Sequence, residues 1–179
     1  MKYLSLDVET TGLNPLTDQL LQVAMVVEDS DVDMPVEELP YLNVLVRNER
    51  VQGNAYALGM NGAILRKISG QDPTDLTIVD AVALPHYLEQ WLAEQFPQGQ
   101  RINVAGKNAA GFDIRFMPEL VSRRFRHRVI DPGSVFVDWE KPMLPSLGDL
   151  LQDTVSHDAL EDARDVIRVL RRSYPRNKE

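Results

Sequence analysis

The chain has 179 residues, enough for one domain with a sizeable core, and no cysteine, which excludes disulfides, thiolate metal sites and a thiol nucleophile. Its net charge is −8, from 19 Lys and Arg against 27 Asp and Glu, a balance that argues against sequence-independent adhesion to nucleic acid. That charge is uneven: residues 1–40 hold nine acids and one base, residues 101–128 seven bases and two acids, and residues 164–178 six bases and one acid. No apolar run approaches a membrane span and no signal-peptide pattern opens the chain, so a single cytoplasmic domain over 1–179 is expected.

Tyr3 to Val8 alternates as a strand, with Leu4, Leu6 and Val8 on one face and Tyr3, Ser5 and Asp7 on the other. Gly12, Asn14 and Pro15 mark a turn. Leu20 to Val27 and Tyr41 to Val46 read as the next two strands, joined by an acidic loop with two prolines, and the three suggest an antiparallel meander. Leu58 to Ile68 predicts a short helix. Ile78 to Phe96 carries helical apolar spacing, with Pro85 forcing a kink or a late start. Ile102 to Ala105 is a short fourth strand, and Asp113 to Arg124 a helix that Pro118 constrains. Val129 to Val137 is a fifth strand broken at Asp131-Pro132-Gly133. Ser146 to Leu151 is a short helix with Ser146 as N-cap, and Ala159 to Ser173 a closing helix. The expected fold is a mixed α/β sheet of five strands, three antiparallel and then two parallel, flanked by helices.

The chemistry lies in the acids. Asp7 and Glu9, two apart on a strand, leave the same face, where their charges repel unless a cation lies between them. Asp162 falls on the apolar stripe of the closing helix, while Arg164, Arg168, Arg171 and Arg172 occupy its other face. Asn108-Ala-Ala-Gly-Phe112-Asp113 lies between a strand and a helix, where ligand sites of open α/β sheets gather. His157 stands at the entrance to the helix that carries Asp162, a candidate base. Four acids and a histidine from three parts of the chain suit two hard divalent cations and an in-line phosphoryl displacement. Arg123, Arg124, Arg126 and Arg128 are open to two readings, a solvated loop or a phosphate-binding edge.

The order Asp7-x-Glu9-Thr-Thr-Gly-Leu13, Asn108…Phe112-Asp113, His157-x-Ala-x-x-Asp162 resembles the DEDDh branch of the DnaQ-like 3′–5′ exonucleases, which have a ribonuclease H-like fold. The resemblance implies that Asp7, Glu9, Asp113 and Asp162 bind two Mg²⁺ or Mn²⁺ ions and that His157 takes the proton of the attacking water. It places Thr10 and its neighbouring backbone at the terminal 3′ hydroxyl, Leu13 as a wedge against the terminal bases, and Asn108 and Phe112 at the substrate. The implied reaction releases nucleoside 5′-monophosphates from the 3′ end of single-stranded or short DNA or RNA, and the resemblance admits a homodimer. Lys107 stands where the motif commonly has His, Gly111 lengthens it by one residue, and Asn61-Gly62-Ala63 replaces a common His-Gly-Ile. A catalytically silent nucleic-acid-binding or assembly module with this fold is the alternative reading.

Overall fold

The computed structural model describes residues 1–152 and 158–174. Its centre is β1 (Lys2–Thr10), paired antiparallel with β2 (Leu20–Asp29) and parallel with β5 (Ile102–Ala105). β3 (Tyr41–Arg47) extends the sheet beyond β2, β4 (Thr77–Asp80) runs parallel to β3, and β6 (Phe125–Ile130) forms the opposite edge beside β5. The sheet therefore has six strands in the order β4-β3-β2-β1-β5-β6, one more than the sequence suggests. The additional strand is Thr77–Asp80, which the helical spacing after Ile78 conceals; the helix itself, α3 (Leu84–Gln95), begins late because Pro85 fits only in a first turn.

Other boundaries move for local reasons. The stretch after Asn54 forms two helices, α1 (Ala55–Met60) and α2 (Gly62–Ile68), hinged at Asn61. The helix expected from Asp113 divides at Pro118 into α4 (Asp113–Phe116) and α5 (Glu119–Ser122), since proline donates no N–H to a continuing helix. The fifth predicted strand starts earlier, at Phe125, and ends at Ile130; Asp131 then caps α6 (Pro132–Val135) by accepting from the Ser134 N–H. α7 (Leu147–Leu151) begins with a reciprocal capping box between Ser146 and Asp149, and α8 (Ala159–Leu170) is capped by Asp158. Among the described residues no helix is long and apolar enough to cross a membrane.

Side-chain alternation divides the core as the sequence predicts. Leu4, Leu6 and Val8 pack with Leu84, Leu88 and Leu92 of α3 and with Val121, while Tyr3 and Ala24 face Ala163, Val166 and Ile167 of α8 on the other side. α8 is fastened across the sheet at two points. The Ser5 hydroxyl donates to the Ala163 carbonyl at 2.8 Å, and Arg171 at the end of the helix pairs with the fully buried Glu28 of β2 at 2.6 Å, also donating to the Met34 carbonyl. Truncating one partner of a buried pair leaves an uncompensated charge, so Arg171→Ala is expected to lower unfolding stability by about 3 kcal/mol. Urea denaturation monitored by far-UV circular dichroism measures this, and a loss within about 0.5 kcal/mol of zero would mean the pair does not hold the helix.

Candidate active site

Four acids from three elements approach the C-terminal end of β1. Asp7 and Glu9 lie on β1 itself, with a register irregularity between Glu9 and Thr10 where the strand leaves the sheet. Because β5 is parallel to β1, its exit points to the same edge. Gly106 follows it, and the position is held to glycine by close packing: a Cβ there would stand 2.7 Å from the Leu6 carbonyl oxygen. Asn108 then adopts a left-handed conformation, φ 54°; its N–H donates to Asp131 at 2.7 Å, and its carbonyl accepts from Gly111 and Phe112. This turn absorbs the additional Gly111 and delivers Asp113, only 3% exposed, to the first position of α4. There Asp113 accepts the Val8 N–H at 3.0 Å, which locks it to β1. Asp162, in the first turn of α8, completes the group and is also buried.

The charges act on one another. Asp7 is held well above the ordinary carboxylate range, first by burial and then by the charges of Asp113, Asp162 and Glu9, with Lys107 opposing. Asp113 is raised to about 7, chiefly by burial and against the backbone hydrogen bonds it accepts. Asp162 is also raised to about 7, by burial and then by Glu9. Among the described residues no three His, Asp or Glu side chains are arranged around one point as a metal site; the carboxylates repel one another without converging. Their chemistry nonetheless fits a hard divalent cation, which takes oxygen ligands and would offset the burial and mutual repulsion that raise Asp7, Asp113 and Asp162. His157 lies outside the described residues.

On the β2 side of these acids opens a cleft of about 600 Å³ whose walls include Glu9, Thr10, Leu13, Tyr56, Asn61 and Phe112. Leu13 projects into solvent at 82% exposure. Phe112 lines the cleft and also packs on Phe116, at 5.1 Å between ring centroids. The Thr10 hydroxyl donates to the Gly12 carbonyl at 2.6 Å, which leaves its lone pairs for a ligand. Asn108 does not join this wall; it lines a separate cleft on the β6 side with Lys107. Asn61, which the motif comparison singled out only as a departure, has a visible role. It is buried, and its amide donates to the Thr10 carbonyl at 3.0 Å, tying the α1–α2 hinge to the end of β1. Gly53 supports the same tie, since a Cβ there would stand 2.3 Å from the Thr11 carbonyl oxygen. Tyr56 and Met60, absent from the sequence-based candidates, join this wall through α1; only the three-dimensional path of that helix reveals them.

Oligoribonuclease of Ectopseudomonas mendocina (strain ymp) is 29% identical over 174 residues, covering 93% of this chain and 90% of its own. Oligoribonuclease of Neisseria meningitidis serogroup B (strain ATCC BAA-335 / MC58) is 26% identical over 172 residues, covering 93% and 87%. These full-length likenesses support the resemblance to the DnaQ-like 3′–5′ exonucleases. No protein-family model matches it. Among solved structures, E. coli exonuclease I in complex with a dA16 oligonucleotide superposes with a TM-score of 0.65 at 15% identity over 95% of this chain. Exonuclease I from Methylocaldum szegediense gives 0.63 at 19% over 95%. The exonuclease spans about two-fifths of those longer chains, 40% and 39%, and at such identities the likeness concerns the ribonuclease H-like fold alone.

The raised carboxylates make a specific demand on pH. Groups whose folded values exceed the ordinary 3.8 stabilise the fold most when protonated, and that contribution is lost as pH rises through about 7. A cation that replaces those protons therefore stabilises the exonuclease more at about pH 8 than at about pH 5.5. Thermal unfolding with and without Mn²⁺ at the two pH values is expected to show the larger rise in Tm at the higher one. Equal rises, or none, would contradict the assignment.

Proposed function

We propose that this exonuclease removes nucleoside 5′-monophosphates from the 3′ ends of short or single-stranded DNA or RNA at the carboxylate group described above. The observation that carries the reading is the juxtaposition of four mutually repelling acids with an apolar-walled cleft of about 600 Å³ sized for a nucleoside. The relatives' name refers to oligoribonucleotides, and structural neighbours were solved with dA16 and dT13, which supports a short or single-stranded substrate of either sugar.

The family depends on divalent metal. Asp7, Glu9, Asp113 and Asp162 would hold two ions, Mg²⁺ or Mn²⁺, which when bound stabilise the attacking and leaving oxygens of an in-line displacement. Asp113 is kept in place by the Val8 N–H and Asp162 by the seating of α8 on β1. His157 would accept the proton of the attacking water, the role its motif position suggests. In the cleft, the lone pairs of Thr10 would accept a hydrogen bond from the terminal 3′ hydroxyl. The exposed Leu13 would lie against the terminal base and Phe112 would close the opposite wall. Asn61 acts indirectly, by holding the Thr10 carbonyl.

Release of mononucleotide from a 3′-labelled oligonucleotide tests the reading. Asp7→Asn and His157→Ala are each expected to lower kcat by roughly a thousand-fold, equivalent to about 4 kcal/mol of barrier, and chelation by EDTA to abolish turnover. Full activity in both variants, or in excess EDTA, would overturn it.

A further inference from the structure

β6 is the free edge of the sheet, and it is not regular. Ile102 of β5 pairs with Phe125, and Val104 with Val129, so a step of two residues on one strand faces a step of four on the other. The surplus lies in Arg126-His127-Arg128, and all three are exposed, as a bulge that re-aims side chains away from the ladder would make them. Several arginines are committed to ion pairs: Arg124 with Glu89, Arg164 with Glu161, Arg168 with Asp165 and Arg171 with Glu28. Arg126 and Arg128 form no salt bridge among the described residues. In an acidic protein, two exposed, unspent guanidinium groups on one bulge form a local field of opposite sign to the whole.

The bulge is linked to the active site through Lys107, whose charge acts on Asp7, Asp113 and Asp162. From Lys107 and Asn108 a second cleft of about 530 Å³ reaches Val129, Asp131 and Ser134. A third, of about 380 Å³, shares Ala110 and Val129 with the second and is lined by Arg101, Arg126 and His127. The path thus runs from Leu13 over Asp7, past Lys107, and across β5 to the β6 edge, about 10 Å in the sheet plane. Its first station is mainly apolar and the second acidic; Lys107 then shares the second cleft with Asp131, and the third cleft is basic, with Arg101, Arg126 and His127.

We propose that the bulged Arg126-His127-Arg128 edge, with Lys107 and Arg101, is a track for the phosphodiester backbone of a single strand whose 3′ end occupies the active site. This rests on the exonuclease reading and extends it to substrate length. A dinucleotide occupies the nucleoside cleft and the carboxylate site, whereas a longer strand also reaches the track, so the track contributes affinity for length and none for sequence.

The test is fluorescence anisotropy with 5′-fluorescein-labelled thymidylates of two and about 15 nucleotides, carrying a phosphorothioate at the last linkage, in Mg²⁺ and over a range of salt. Arg126→Gln/Arg128→Gln is expected to reduce the ratio of long-strand to dinucleotide affinity roughly ten-fold. It should also reduce the slope of log affinity against log salt for the long strand by about 1.4, the value for two lost phosphate contacts on a single strand. Arg126→Lys/Arg128→Lys should restore most of that slope. An unchanged ratio and slope would overturn the proposal. So would a double variant whose sedimentation shows a changed oligomeric state, which would make the edge an interface between copies. Mononucleotide release by the wild type is measured alongside. A protein that prefers the long strand but releases nothing would contradict the catalytic reading and leave the track standing, while active enzyme with an unaltered ratio in the variants would do the reverse.

Discussion

Repulsion among carboxylates confined to one partly dry corner is the constraint on which the site depends. Asp7, Asp113 and Asp162 are each held above the ordinary carboxylate range, with burial the largest cause. Such a cluster opposes folding wherever it is ionised, and the opposition is accepted because the surrounding packing over-determines it. The sheet and α8 supply that packing: Leu4, Leu6 and Val8 are buried against one helical layer, and Tyr3 and Ser5 against α8 on the other. A divalent cation turns the same repulsion into affinity, since every proton it displaces is one the carboxylates hold only for want of a better partner.

Rigid connections make this corner a place where a strand end can be aligned. The Val8 N–H spends a hydrogen bond on Asp113. Gly106 lets the turn after β5 pass against Leu6, and Asn61 and Gly53 draw the α1–α2 segment onto the end of β1. The cleft and two of the acids, Asp7 and Glu9, share one stretch of backbone, residues 7–13, so their spacing is set largely by covalent geometry, while Asp113 and Asp162 are brought in by α4 and α8. The basic stations follow on the other side of the acids, on β5 and β6, and this reconciles an acidic protein with an anionic substrate: positive charge is concentrated where backbone phosphates would lie.

Much of this was legible in the residues. Asp7-x-Glu9 on an alternating strand, Asp162 on the apolar stripe of an amphipathic helix, and Asp113 after a strand each carry a periodicity or a position that names a face. The sixth strand was not legible, because Thr77–Asp80 is four residues long and its apolar positions fall into register with those of the following helix. Pro118 signalled a disturbance without specifying that the helix would split. Asn61 and Asn108 illustrate a different limit. Both are polar residues whose roles reside in backbone partners distant along the chain, Thr10 and Asp131, and no local pattern encodes those pairings. The four arginines of residues 123–128 read as one patch in sequence. Only the register of β6 against β5 separates Arg124, spent on Glu89, from Arg126 and Arg128, which stand out on the bulge.

The central claim, that these carboxylates exist to bind divalent cations, is tested most directly by titrating Mn²⁺ into the wild type and into Asp7→Asn and Asp162→Asn by calorimetry near pH 7, in two buffers of different ionisation heat. The account predicts binding to the wild type with net proton release, as raised carboxylates surrender their protons, and loss of both the binding and the proton release in each variant. Binding that releases no protons, or that persists undiminished in Asp7→Asn, would contradict it.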